Sequence, residues 1–267
     1  MKQLLIILAT FAGMLLPVHA QRQETGFLNR RVTVGSETYR YQVYVPEEYS
    51  PSRQWPIILF LHGAGERGDD GLAPTQTGLG TAIRKGAARF PAIVVFPQVR
   101  LEHRWDDAML AHAVATLDAA ILEFHGDRDR TYLTGLSMGG RGSWKLASKT
   151  PERFAALVII AAGVVTPDAW TQTEKETAAR ENDFLRSPDP YGFLASKVKG
   201  LPIQLFHGSA DMEAPVTESR QMAAALQRLG ANVKYTEYEG VPHNSWDRAF
   251  AEPDLMPWLL AQRRQLK

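Results

Sequence analysis

Polar and apolar residues alternate over residues 27–34 and again over 39–45, with Gly35-Ser36 between the two stretches. That period of two predicts an antiparallel pair of strands with one solvated face. The pattern then changes. Residues 56–61, 92–96, 131–134 and 156–160 are short apolar runs, and 201–206 and 233–238 complete the series. Continuous Val, Ile, Leu and Phe runs suit parallel strands covered on both faces. Helical periodicity fills the gaps over 106–124, 138–149, 216–229 and 246–262. Strands alternating with helices predict an α/β fold: a mostly parallel central sheet with an antiparallel N-terminal start and helices on both faces.

No internal repeat, low-complexity tract or dividing linker interrupts this alternation, so residues 21–267 are expected to form a single domain. The stretch 163–200 is the exception, a long connection between two core strands. It holds a helix-compatible segment over 171–185 and then Pro188-Asp189-Pro190-Tyr191-Gly192. A connection of that length carries its own structure or covers a site, and both a lid and a plain surface insertion fit it.

Residues 1–20 stand apart. Lys2, an apolar run over 4–16 and a small residue at Ala20 match a signal peptide, so an exported protein, periplasmic or extracellular, is expected. The run is short for a membrane span, which takes about 20 apolar residues. An uncleaved anchor is the alternative.

Composition narrows the chemistry. The 30 Lys and Arg residues nearly balance 29 Asp and Glu for a net charge of +1, without the clustered basic face that nucleic-acid binding requires. With no cysteine there is no disulfide, thiolate nucleophile or thiolate metal site. No His-Glu-x-x-His or Asp-rich calcium pattern occurs, so neither a metal nor a cofactor is called for.

Three loop regions carry candidate chemistry. Gly135-Leu136-Ser137-Met138-Gly139 follows a strand and opens a helix. A serine on that sharp turn projects its hydroxyl away from the backbone, and glycines two positions to either side meet the steric demand. An ordinary Gly-rich turn is the plain alternative. His62-Gly63-Ala64-Gly65 follows the first apolar strand, where glycines let amides approach an oxyanion. Ala64 and Met138 are the expected donors, with Gly65 as the substitute for Ala64, and His62 reads as a structural loop residue.

A hydroxyl needs a base, and imidazole titrates near neutrality. His243, beyond the last strand, and Asp211, in His207-Gly208-Ser209-Ala210-Asp211, complete the order serine, acid, histidine. Each of the three follows the C-terminal end of a predicted parallel strand, where α/β sheets place their sites. Glu213 is the alternative acid and His207 the alternative base. His103, His112 and His125 read as surface or packing residues, and Arg128-Asp129-Arg130 as a solvated loop. Glu66, Trp105 and Trp246 are candidate substrate contacts; Glu66 equally suits pairing with Arg67, and both tryptophans suit packing.

Residues 59–68 (LFLHGAGERG), 135–144 (GLSMGGRGSW), 207–216 (HGSADMEAPV) and 233–246 (VKYTEYEGVPHNSW) resemble the α/β-hydrolase esterases known as predicted peptidases or phospholipase/carboxylesterase-like proteins. Feruloyl and acetylxylan esterases and polyhydroxybutyrate depolymerases are related to that group. The resemblance spans most of 39–260. It implies the α/β-hydrolase fold and cleavage of carboxylic esters through an acyl-enzyme, with Ser137, Asp211 and His243 at the three catalytic positions. Plant-cell-wall esters, free or linked to polysaccharide, are the implied substrates. The segment 164–199 departs from the pattern by its length. A serine peptidase built on the same machinery is the enzymatic alternative, and a non-catalytic carbohydrate- or lipid-binding module the other.

Overall fold

The computed structural model describes residues 24–165 and 171–264. The segment 1–20 lies outside them. Among the described residues no helix is long and apolar enough to cross a membrane.

Eight strands form one sheet in the order β1-β2-β4-β3-β5-β6-β7-β8. Strands β1 (Gly26–Val34) and β2 (Glu37–Val45) form the expected hairpin, closed by Gly35 at φ 61°. Strand β2 runs antiparallel to β4 (Ile93–Pro97), and every later pairing is parallel: β3 (Trp55–Leu61), β5 (Gly126–Leu136), β6 (Ala156–Ile160), β7 (Ile203–Gly208) and β8 (Val233–Tyr238). Strands β3, β4 and β6 are buried along their whole length because helices cover both faces. Alternation along β3 shows it: Ile57, Leu59 and Leu61 enter one core, Ile58 and Phe60 the other.

The first core is closed by α2 (Asp107–Glu123), α3 (Met138–Lys149), α5 (Pro190–Val198) and α6 (Val216–Arg228). The second lies under α1 (Leu79–Lys85), α7 (Trp246–Ala249) and α8 (Leu255–Ala261). Strands β1 and β8 are the two edge strands; β8 is bonded only to β7 and is half-buried over most of its length.

Three local expectations change. The helix expected over 246–262 is two helices, since Pro253 biases Glu252 away from helical geometry and supplies no amide. Strand β5 starts well before its apolar run. Its partner positions jump from Trp55↔Gly126 to Ile57↔Thr131, so the extra residues form an irregularity that holds the charged run. Arg128-Asp129-Arg130 is therefore part of a strand rather than a free loop: Arg130 Nε donates to Asp127 at 2.7 Å and Arg264 Nη2 to Asp129 at 2.9 Å. Helix α5 begins at Pro190, where a missing amide costs nothing, and Asp189 caps it by accepting from the Gly192 amide at 2.9 Å.

The described part of 163–200 is structured. It contains α4 (Gln172–Glu181), a 3-10 turn over Asp183–Arg186, and α5. Its first residues are gripped from α6: Glu218 Oε2 accepts from the amides of Val164 at 2.6 Å and Val165 at 3.1 Å, while Oε1 accepts from the Tyr191 hydroxyl at 2.8 Å.

Candidate active site

Strand β5 ends at Leu136 and α3 begins at Met138, leaving Ser137 alone to reverse the chain direction, at φ 51° and ψ −120°. A non-glycine residue there is strained, and its neighbours hold it: its amide donates to Ile160 O at 2.9 Å and its carbonyl accepts from Arg141 at 3.1 Å. Gly139 is required by close approach, because a Cβ there would lie 1.9 Å from the Leu61 carbonyl oxygen.

The other two residues arrive on loops beyond β7 and β8. Gly208 lets these loops touch; a Cβ on it would meet Val241 O at 2.1 Å. Ala210 N donates to Val241 O at 3.0 Å and Gly240 N to Ser209 Oγ at 2.8 Å, stitching the loops together. The result is a continuous chain of contacts. Ser137 Oγ is 2.9 Å from His243 Nε2, and His243 Nδ1 is 2.6 Å from Asp211 Oδ2.

Asp211 is buried, and its Oδ1 accepts from the amides of Glu213 and Ala214, both at 2.8 Å. Burial pushes its carboxyl up, but hydrogen bonds from His207, His243 and the Ala214 amide outweigh that and hold it well below the usual carboxylate range. Nδ1 of His243 faces a carboxylate, so the proton sits on Nδ1 and Nε2 presents its lone pair to the serine hydroxyl. That arrangement suits proton abstraction from Ser137.

Glu213 is exposed and lies 3.7 Å from Nε2 of His243, on the side opposite the Asp211 contact. His207 is fully buried, its Nδ1 2.7 Å from Ser219 Oγ and its Nε2 2.9 Å from Ala214 O. Neither stands where the alternative reading would put it.

The loop after β3 borders the serine: a Cβ on Gly63 would lie 3.7 Å from Ser137 Cβ. Ala64 opens a 3-10 turn over Ala64–Glu66 and Met138 opens α3, so both amides occupy first positions that have no acceptor within their own helix. Such amides are the donors an oxyanion needs. Gly65 sits one residue further into the same turn.

Several side chains brace this loop. Arg67 donates to the carbonyls of Ala64 at 3.0 Å and Leu101 at 2.9 Å. Gln98 donates to the Glu66 carbonyl at 3.0 Å. His62 is buried, takes the Val99 amide on Nε2 at 3.0 Å, and is pushed down to about 4 by desolvation against the opposing pull of the Gly63 carbonyl, so it is neutral. Glu66 is half-buried with its carboxylate beside Gly63. Trp105 is buried against His62 and Gly142, and Trp246 stands edge-on to the His243 ring with centroids 5.3 Å apart.

A cavity of about 290 Å³ lies between α3 and the 163–200 segment. Trp105, Met138, Val164, Phe184 and Leu185 supply its apolar lining. The last two were invisible as pocket residues in the sequence, since only the fold of the long connection brings them over α3.

The family model described as "Putative esterase" matches residues 35–253. The chain belongs to this esterase family. Membership covers every strand from β3 to β8 and the loops that carry Ser137, Asp211 and His243. An "Uncharacterized secreted protein" of Arthroderma benhamiae is 28% identical over 212 residues, 72% of this chain and 22% of that protein. "Feruloyl esterase B" of Neurospora crassa is 27% identical over 197 residues, 64% of this chain and 63% of that enzyme. The chain thus spans about a fifth of the first relative and somewhat under two thirds of the second. Among solved structures, a thermostable esterase superposes with a TM-score of 0.72 at 27% identity, covering 89% of this chain and 63% of that one. The eight-stranded esterase sheet is the α/β-hydrolase fold.

Proposed function

We propose that this member of the esterase family is an exported serine hydrolase that cleaves carboxylic esters through an acyl-enzyme. The observation that carries the reading is the contact chain Ser137 Oγ–His243 Nε2, His243 Nδ1–Asp211 Oδ2, at 2.9 and 2.6 Å. Ser137 Oγ attacks the ester carbonyl carbon as its proton passes to His243 Nε2, and the carbonyl oxygen takes up the negative charge beside the Ala64 and Met138 amides. The C–O bond to the alcohol then breaks, and His243 returns the proton to the leaving alcohol. Water adds to the acyl carbon, losing its proton to His243. The bond to Oγ breaks, the carboxylic acid departs, and the serine regains its proton. Asp211 orients His243 and stabilises the imidazolium throughout.

The printed name of the Neurospora crassa relative supports feruloyl esters as substrates, and the apolar cavity beside Met138 suits the acyl part of such an ester, free or polysaccharide-linked. Acetyl esters need less of that space. Export is supported by the pattern of residues 1–20 and by the printed name of the Arthroderma benhamiae relative.

Ser137→Ala tests the mechanism. Hydrolysis of a short-acyl nitrophenyl ester should fall by roughly 10⁴- to 10⁶-fold with the circular dichroism spectrum unchanged. Retained activity in a folded Ser137→Ala protein would end this reading. Comparing acetyl, feruloyl and longer-acyl esters then ranks the substrates.

A further inference from the structure

We infer that His207 is a positioning residue that sets the basicity of the Asp211 carboxylate and, through it, of His243; this rests on the serine-hydrolase reading above. Two imidazoles converge on one carboxylate oxygen. Asp211 Oδ2 lies 2.6 Å from His243 Nδ1 and 3.1 Å from His207 Nε2.

The ring of His207 has one consistent protonation. Nε2 faces two acceptors, Asp211 Oδ2 at 3.1 Å and Ala214 O at 2.9 Å, so Nε2 carries the hydrogen. Nδ1 then accepts from the Ser219 hydroxyl at 2.7 Å. With Nε2 donating and Nδ1 accepting, every partner of this buried ring is satisfied. Ser219 comes from α6, so the ring's tautomer is fixed by a helix outside the catalytic loops.

With the Glu213 and Ala214 amides on Oδ1, the carboxylate accepts from four donors. Each donor draws off negative charge that would otherwise stabilise the His243 imidazolium. Glu213, in the same loop, is exposed near Nε2 of His243. Glu237, opposite His207 on β8, is tied to Arg220 of α6 and to Tyr235. From the other side His243 meets the uncharged Ser137 and Trp246. His207 is thus the one side chain besides His243 within bonding distance of the Asp211 carboxylate among the described residues.

A merely structural histidine would fill the end of β7 and leave the titration of His243 alone. The test is the acid limb of the kcat/KM profile on a nitrophenyl acetate ester. His207→Leu removes the donor, strengthens the Asp211 hold on the His243 imidazolium and should move that limb upward by about 0.5–1 pH unit. His207→Gln, whose amide reaches a similar position, should return the limb most of the way. An unmoved limb in folded His207→Leu, or a downward shift marking a displaced carboxylate, overturns the inference. If His207→Leu fails to fold, Ser219→Ala decides: losing the hydroxyl that fixes the tautomer should move the limb upward by a smaller amount, and an unmoved limb counts as refutation. Failure of the underlying reading shows separately, as parent activity that survives Ser137→Ala.

Discussion

Trp105 donates its indole N–H to the carbonyl of His62 at 3.0 Å, and the two rings lie 5.1 Å apart. This bond joins the loop before α2 to the loop that carries the Ala64 amide. Trp105→Phe keeps most of the packing but leaves a buried carbonyl without that donor. A loss of about 1–3 kcal/mol in denaturant unfolding is expected. Loosening of this proposed oxyanion loop should also lower kcat by roughly 3- to 10-fold with little change in KM.

Gly139→Ala is expected to be far more damaging than its size suggests. The added Cβ would sit 1.9 Å from the carbonyl oxygen of Leu61, which is fixed in the central strand β3. Backbone must move, and the neighbouring loop proposed to hold the oxyanion moves with it. Destabilisation of about 3–5 kcal/mol and loss of hydrolysis should both appear. Gly65→Ala, with nothing near its Cβ, is the control for a glycine in open space.

Acid should weaken the fold through two buried histidines outside the proposed catalytic set. Burial pushes His62 down to about 4 and, with help from Arg100, does the same to His112, which stacks on Tyr39 at 4.1 Å. A histidine whose folded pKa lies below its unfolded value of about 6.5 contributes fully above pH 6.5, and its contribution is lost as pH falls toward 4. The loss reaches up to about 3 kcal/mol for each ring at pH 4. His112→Gln should therefore flatten the stability curve between those pH values, as thermal melts at several pH values would record. Asp211 contributes in a different window: its depressed pKa keeps it ionised until well below pH 4.

Glu218→Ala should release the start of the 163–200 segment. Two backbone amides and the Tyr191 hydroxyl would lose their shared acceptor. A stability loss of about 2–4 kcal/mol is expected, with faster amide exchange at Val164 and Val165.

The strands were legible because a parallel sheet covered on both faces demands uninterrupted apolar runs, and 56–61 and 156–160 are such runs. The charged half of β5 was not, because its pairing depends on Arg264, far away in the chain. Helix α1 has seven residues, too few for a 3.6-residue period to declare itself. At the site, Ser137, Asp211 and His243 announced themselves through chain order and flanking glycines. The contact of His207 with Asp211 did not, since it requires α6 to press Ser219 against β7. The roof of the cavity was likewise hidden, because Phe184 and Leu185 carry no motif and join Met138 in its lining only through the folding of the long connection.

The imidazole proposed as the base is delivered by the loop that follows β8, a strand with a single neighbour at one border of the sheet. Edges fray at lower cost than centres. Warming should therefore silence turnover some degrees before the bulk of the molecule melts, and prompt cooling should restore it, because the serine end of the machinery stays seated in the middle of the sheet.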